Sequence, residues 1–415
     1  MSKTSPVRGT QDCLNLKAKK SIKNLLNKKF LLSNFLPIET PIIENLELFV
    51  RCVGETSDVV GKEMFVIETA SEEKICLRPE ATASTFRAFL DSDIQSGPWK
   101  VFSCGPMFRH ERPQKGRWRQ FDQFNIEIID TKNIEHDVML IELLDRIFRR
   151  DFNLQAYVLH LNFLGTSAER AAHRAELVKF LVTQKKLLCQ NCIKRTEINP
   201  LRCFDCKNEQ CRQVLVKAPL LANFFTAESS AEWQQIQRQL ILLGVNFIQD
   251  STLVRGLDYY SGVVFEFKSN ILGAQDTFCG GGRYDLSEAF DLKKNVPSVG
   301  AAVGIGRLQL ILEELKLLPE AREIPLHLIL PMSKDEQMLA MLLHGHLVQA
   351  GLRSDVLVEN CSFAGMMKKA NRTGAQKVLI LGATEVETNS VAVKDMLTGQ
   401  QQSVSQAELI KFLAN

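Results

Sequence analysis

Nothing in this chain is long and apolar enough to cross a bilayer, since no apolar run reaches the roughly 18 residues a spanning helix needs. The opening stretch, MSKTSPVRGTQD, lacks the apolar core of a secretion signal and leaves little room for an organellar leader before RGT. The expected location is the cytoplasm, with no membrane partner. Neither sign of charge dominates. A net charge of +3 permits a nucleic-acid partner without announcing one. There is no internal repeat and no low-complexity tract.

Cysteine, by contrast, is plentiful. Eleven residues, an odd number in a long chain without a signal peptide, read as reduced thiols or metal ligands and not as a disulfide framework. A length of 415 residues exceeds one ordinary core and implies on the order of two or three domains. Hydrophobic residues at 45% and charged residues at 24% suit a globular protein.

The order of elements follows from periodicity. Residues 17–32 place Ile22, Leu25, Leu26 and Phe30 on one stripe among six lysines, a basic amphipathic helix whose lysines are expected to face solvent. FLPIETPIIE reads as a Pro-bounded strand, and KICLRPEATASTFRAFL as strand, turn and helix. WKVFSCGPMFRHERP and RQFDQFNIEIID read as antiparallel strands joined by a long polar loop. A helix is expected over 133–150 and a strand over 155–163. Residues 167–228 are mostly helical, hold five of the cysteines and read as an insertion. Strands return with VVFEF and DTFCGGGRYD, and SVGAAVGIGRLQLILEEL reads as a strand entering a helix. Beyond LLPEAREIP the pattern becomes βαβαβ with a further strand and helix, an α/β domain with a mostly parallel, mixed sheet. The expected divisions are 1–320, with the insertion at 167–228, and 324–415.

Four constellations carry chemistry. Arg109, His110, Glu111, Arg112, Arg117 and Arg119 crowd one hairpin. Arginine forks grip phosphate oxygens bidentately, and a carboxylate such as Glu111 accepts from an exocyclic amine. Taken alone, the cluster fits a charged surface hairpin equally well. Residues 255–262, RGLDYYSG, offer donors, acceptors and aromatic walls for a small polar ligand, or else a structural Arg255–Asp258 pair. Gly280, Gly281 and Gly282 allow close backbone approach to a ligand, or a tight turn. In GAAVGIGR, residues 300–307, an Arg stands where a helix begins, a place that favours phosphate. Its spacing is not that of the dinucleotide fingerprint.

The order and joint presence of these segments bring out a resemblance. FLPIETPIIENLELF, FRHERPQKGRWRQFDQFNIE and GAAVGIGRLQL resemble the three motifs of class II aminoacyl-tRNA synthetases. RGLDYYSGVVFE and FCGGGRYD resemble the histidine-specific signatures of the histidyl-tRNA synthetase family, as do RGTQD and LRPEATA. The likeness spans nearly the whole chain. It implies an α+β architecture: an antiparallel-sheet catalytic domain with a helical insertion, then a C-terminal α/β anticodon-binding domain. It implies activation of L-histidine with ATP and Mg²⁺, transfer to tRNA(His), and a homodimer with Pro41 at the interface. Arg109 and Arg255 would act as catalytic residues on the α-phosphate, Arg255 standing where other class II enzymes place a metal. Glu111 would read the adenine amine, and Arg117 and Arg307 would hold the outer phosphate. Glu80, Ala81, Thr82, Gln123 and Glu127 would surround the histidine α-amino group, and Tyr259, Tyr260 and Tyr284 the imidazole. Arg112, Gln114 and Arg119 would face the tRNA acceptor end.

The chain departs from the family pattern at Gly306, where a Glu usually precedes the Arg, at Ala81 in RPEAT, and at Asn15, where a Pro is usual. A catalytically inactive paralogue, of the ATP phosphoribosyltransferase regulatory subunit type, is the alternative reading. Such proteins lose the phosphate arginines or the tail, and this chain keeps Arg109, Arg255 and Arg307. Cys189, Cys192, Cys203 and Cys206 form two CxxC pairs with zinc-knuckle spacing, and Cys211 follows. Because the family's insertion is not generally a zinc domain, reduced structural thiols are the expectation over zinc. His344 and His346 are expected to face solvent.

Overall fold

The computed structural model describes residues 5–54, 57, 59–68, 73–94, 97–255, 259–320, 324–359 and 362–414. The chain divides into two compact units, Met1–Ala321 and Arg322–Asn415.

The first unit opens with α1 (Lys17–Leu32), whose Ile22, Leu26 and Phe30 are completely buried. The lysine face is not merely solvated: Lys19 and Lys23 each reach Asp122 at 2.6 Å. The expected single strand over FLPIETPIIE is instead two short pieces, β1 (Leu36–Pro37) and β2 (Ile43–Asn45), which join different sheets. Pro37 and Pro41 lack the N–H that a continuous ladder requires. After α2 (Leu46–Val53), β3 (Phe65–Glu68) and β4 (Lys74–Leu77) complete a small three-stranded antiparallel sheet in the order β2-β4-β3.

Then come α3 (Thr82–Leu90), the long hairpin strands β5 (Trp99–Phe108) and β6 (Gln120–Ile129), and α4 (Glu135–Arg146). β7 (Val158–Phe163) leads into the helices α5 (Ser167–Thr183), α6 (Gln190–Ile198) and α7 (Glu209–Leu215), the segment read from the sequence as an insertion. α8 (Ala227–Leu242) and β8 (Ile248–Gln249) return the chain to β9 (Tyr260–Lys268), β10 (Thr277–Asp285), β11 (Pro297–Gly304) and α9 (Ile305–Glu314).

The main sheet has eight strands in the order β1-β5-β6-β11-β10-β9-β7-β8, antiparallel except at the two short edges. Alternation along β9 puts Phe265 and Phe267 into a phenylalanine-rich core with Phe102, Phe124, Phe148 and Phe278. Glu266, between them, is left for the opposite face. Gly280–Gly282 are mid-strand and form no turn.

The second unit carries β12 (His327–Pro331), α10 (Gln337–Gln349), β13 (Ser354–Val356), α11 (Phe363–Thr373), β14 (Lys377–Leu381), α12 (Ala383–Glu387), β15 (Ser390–Asp395), β16 (Gln401–Ser405) and α13 (Leu409–Ala414). Its sheet runs β13-β12-β14-β15-β16. Two pairings are parallel and two antiparallel, so the sheet is evenly mixed and not mostly parallel. The strand missed in the sequence, QQSVS, is an exposed polar edge without an apolar alternation. A turn brings it back: Asp395 accepts from the amides of Leu397 and Thr398, and Gly399 takes φ +73°. His346 is exposed as expected, whereas His344 is half-buried and its Nδ1 lies 2.9 Å from the Ser354 hydroxyl.

Candidate active site

A cavity of about 310 Å³ opens on the face of the main sheet, lined among others by Arg109, Glu111, Arg117, Gln123, Arg255 and Arg307. These residues come from the β5–β6 loop and β6, from Arg255 between β8 and β9, and from the first turn of α9, so the cavity gathers distant parts of the chain. Arg109 is fixed by donating from Nε to the Pro79 carbonyl at 2.9 Å, with its guanidinium 5.5 Å from the Phe121 ring centre. Arg307, in the first turn of α9, donates to the carbonyls of Gly116 at 2.8 Å and Thr277 at 2.6 Å. Burial and the nearby Arg117 and Arg109 depress its pKa, the signature of positive charge crowded in one place.

Arg255 pairs with Glu266, which also accepts from Thr277 at 3.0 Å. Burial disfavours the Arg255 charge, but Glu266 together with Tyr260 and Tyr259 offsets it and the pKa is raised. Gly280 leaves room for the Arg255 guanidinium, since a Cβ there would lie 2.6 Å from one of its nitrogens. Gly256, Leu257 and Asp258 lie outside the described residues, so the Arg255–Asp258 pairing read from the sequence does too. Buried polar atoms of cavity-lining side chains, Gln123 Oε1 and Arg255 Nε among them, have no hydrogen-bond partner among the described residues. Unsatisfied groups of this kind are costly without a ligand or water.

Beside the arginines lies a second, carboxylate-centred group. Thr82 and Tyr284 donate their hydroxyls to the two oxygens of Glu127, each at 2.7 Å. Burial pushes the Glu127 carboxyl up to about 8, and Glu80 acts in the same direction. Glu80 is itself raised by burial, although the amides of Thr82 and Ala83 donate to it at 2.7 and 2.9 Å. Ala81 is fully buried at the start of α3. Tyr259 packs between Tyr260 and Tyr284, with ring centres 4.6 and 5.4 Å away. Tyr260 lies 5.6 Å below the Arg255 guanidinium and so joins the two groups.

The hairpin loop is ordered by its own turn. Gln114 and Arg117 exchange backbone hydrogen bonds around Gly116, which takes φ +74°. Glu111 is engaged by the Arg117 side chain. Its neighbour Glu63 is raised to about 7 by burial, then by Glu111 itself. Arg112 and Gln114 are exposed. Arg119 is not: it is half-buried, donating to the Glu111 carbonyl at 3.3 Å while its amide donates to Gly9 of the RGTQD segment.

Three residues near the site escaped sequence reasoning. Glu266 orients Arg255, and the VVFEF alternation could have revealed it. Trp118 lies over Gly306, where a Cβ would stand 2.9 Å from its ring, so the indole fills the space a side chain would need. Arg283, inside the GGGRYD signature, points away from the cavity and is buried against Asp137 and the carbonyls of Thr131 and Asn133.

Cys203 is not placed with the other three expected thiols. Cys189, Cys192 and Cys206 meet Cys211 instead. Among the described residues no helix is long and apolar enough to cross a membrane.

Residues 11–308 match the family model described as histidyl-tRNA synthetase, and residues 327–415 match one described as anticodon binding domain. The chain is 38% identical to a histidine–tRNA ligase of Halothermothrix orenii, covering 97% of each chain. It is 36% identical to that of Staphylococcus aureus, covering 98% of each. The structure of apo S. aureus histidyl-tRNA synthetase superposes with a TM-score of 0.83 at 30% identity, over 99% of this chain and 100% of that one. A Bacillus halodurans protein titled ATP phosphoribosyltransferase regulatory subunit/histidyl-tRNA synthetase superposes with a TM-score of 0.64 at 20% identity, over 92% of this chain and 100% of that one, which shows a shared fold only. With family matches along both units and whole-chain identity to curated ligases, the chain belongs to the histidyl-tRNA synthetase family.

Proposed function

We propose that the chain activates L-histidine with ATP to histidyl-adenylate and transfers the histidyl group to the 3′ end of tRNA(His). The single observation that carries the chemistry is the junction of two unlike subsites. Four arginines crowd one cavity, and a buried carboxylate–tyrosine group adjoins it through Tyr260 and Arg255. Arginines suit a polyphosphate, and Glu80, Glu127 and the tyrosines suit an amino acid with an ammonium and an aromatic ring.

In this reading the histidine carboxylate attacks the α-phosphorus in line and pyrophosphate leaves. The carboxylate is already ionised, so no strong base is needed. Positioning and charge stabilisation carry the rate. Arg109 and Arg255 hold the α-phosphate, Arg117 and Arg307 the outer phosphate, and Glu111 the adenine amine. Arg117 exchanges its Glu111 contact for phosphate as the nucleotide enters. The cavity carboxylates Glu111, Asp122 and Glu266 each already face a cation of the chain. Mg²⁺ therefore belongs with the ATP, as counter-ion to its β- and γ-phosphates. Glu80, Thr82, Gln123 and Glu127 take the α-ammonium, with Ala81 closing the pocket floor, and Tyr259, Tyr260 and Tyr284 enclose the imidazole. Arg112, Gln114 and Arg119 belong to the loop facing the acceptor end. The catalytic domain spans 1–320 with its insertion at 167–228, and 324–415 reads the anticodon. The enzyme works as a cytoplasmic homodimer.

The test is pyrophosphate exchange into ATP with each of the twenty amino acids. Exchange supported by histidine above all others is the expected result. Better exchange with another amino acid overturns the specificity, and none at all favours the inactive regulatory paralogue.

A further inference from the structure

We propose that Cys189, Cys192, Cys206 and Cys211 form a tetrahedral thiolate site for a soft divalent cation, zinc foremost, that staples the helical insertion. Their four sulfurs all lie within 4.8 Å of one another. Cys189 caps α6 and Cys192 sits in its first turn, while Cys206 and Cys211 flank the start of α7. The ligands therefore arrive as two short pairs, C-x₂-C and C-x₄-C, each within the range structural zinc sites use.

The distances suit a metal. Zinc–sulfur bonds of about 2.3 Å in a tetrahedron put the sulfurs roughly 3.8 Å apart. Cys189 and Cys206 already stand 3.8 Å apart. From the 4.8 Å limit, the other edges need to contract by about 1 Å at most. A disulfide would require about 2.05 Å.

Hydrogen bonds add a second argument. The Cys189 amide donates to the Cys211 sulfur at 3.1 Å, and the Cys192 amide donates to the Cys189 sulfur. Amide donors aimed at sulfur stabilise thiolates and orient them as ligands.

Cys203 is excluded by its own contact. It lies within the turn Pro200–Asp205, and its thiol donates to the Cys192 carbonyl at 3.6 Å; it touches Cys192 but is not one of the four sulfurs that all lie within 4.8 Å of one another.

The insertion needs such a staple. Its buried cluster comprises ten residues, four of them cysteines. So small an apolar core supplies little folding free energy, which a bound metal adds directly. The site also reaches the active centre. Arg202, between the two ligand pairs, donates to the Arg255 carbonyl at 3.1 Å. Metal loss is therefore expected to loosen the backbone that carries Arg255.

The full chain is to be purified under reducing conditions, without chelator, from zinc-supplemented cells, and its metal measured by mass spectrometry. One zinc per chain is expected. Exchange with Co²⁺ should give the visible bands of tetrahedral cobalt and thiolate-to-cobalt charge transfer. Cys211→Ser should lose the metal and Cys203→Ser keep it. The reverse pattern overturns the ligand set. If Cys211→Ser fails to fold, the cobalt spectrum of the wild type with four thiolate ligands, together with retention by Cys203→Ser, decides. A wild type that is metal-free after zinc supplementation, with its thiols reactive or paired as disulfides, overturns the site.

Discussion

The Tyr284 hydroxyl donates to Oε2 of Glu127 at 2.7 Å, and both side chains are buried. The same oxygen would meet a Cβ at position 300 at 1.8 Å, so Gly300 makes room for this pair. Burial raises the Glu127 carboxyl to about 8, which leaves it protonated in the empty pocket at neutral pH. An incoming ammonium must displace that proton. Histidine affinity is therefore expected to strengthen as pH rises toward about 8, with proton release on binding. Titration calorimetry in buffers of different ionisation enthalpy measures the release, and a wild type without buffer dependence would refute it. The linked stability effect has a fixed sign. The folded chain keeps a proton that the unfolded chain loses near 4.5, so stability contributed by this group is full below 4.5 and lost as pH rises through about 8. Glu127→Gln should flatten that slope.

Arg255 and Glu266 form the second testable pair. Arg255→Lys should cost about 2–4 kcal/mol in the adenylation transition state through loss of a bidentate contact. Histidine affinity should change much less. Glu266→Gln should lower kcat in the same direction but less, because it misorients Arg255 without removing it. Single-turnover adenylate formation reads both. Near-normal rates for Arg255→Lys would remove Arg255 from the chemistry.

Periodicity disclosed the long strands, because β9 alternates Phe265, Glu266, Phe267 and β14 is a continuous apolar run, as a central buried strand should be. Side-chain partnerships were legible only where they follow the local period. The meeting of Arg255 with Glu266 joins positions eleven apart, and that of Trp118 with Gly306 joins the β5–β6 loop to the start of α9. The thiols show the same limit. CxxC spacing groups Cys203 with Cys206, but the turn carrying Cys203 aims it at a carbonyl, and Cys211 arrives from the next helix. In the tail, the polar edge strand β16 carries no apolar alternation to read.

Gly306 stands where the family usually has Glu, and Trp118 occupies the space. In Gly306→Ala, gain in helix propensity of about 1 kcal/mol opposes displacement of the indole. Stability should change little, while KM for ATP rises several-fold because Trp118 and Gly306 both line the cavity. Steady-state exchange kinetics with varied ATP check this. An unchanged KM would show that the indole wall does not contact nucleotide.

The proposed dimer, implied by the family resemblance, fits exposed apolar side chains near Pro41. Leu36, Ile42, Ile43 and Val66 are 40–58% exposed in the single chain. Arg78 ties this segment to the site, donating to the carbonyls of Thr40 at 2.8 Å and Pro106 at 3.1 Å. Ile43→Glu should shift sedimentation toward monomer and lower exchange with it. A wild type that sediments as an active monomer at about micromolar concentration would end the dimer reading.

The last expectation separates the two units. The proposed phosphate and histidine ligands all lie before Leu308, within the unit Met1–Ala321, whereas the anticodon-binding match covers residues 327–415. A chain ending near residue 323 should therefore keep histidine-dependent pyrophosphate exchange. Charging of tRNA should fall, mainly through weaker tRNA binding, because the tail would supply phosphate and base contacts. Exchange, charging and sedimentation are to be measured on one sample whose circular dichroism shows it folded. Unchanged KM for tRNA would show that the tail does not read the anticodon. Lost exchange in a folded dimer would show instead that adenylation depends on the tail, and the division of labour between the units would fall.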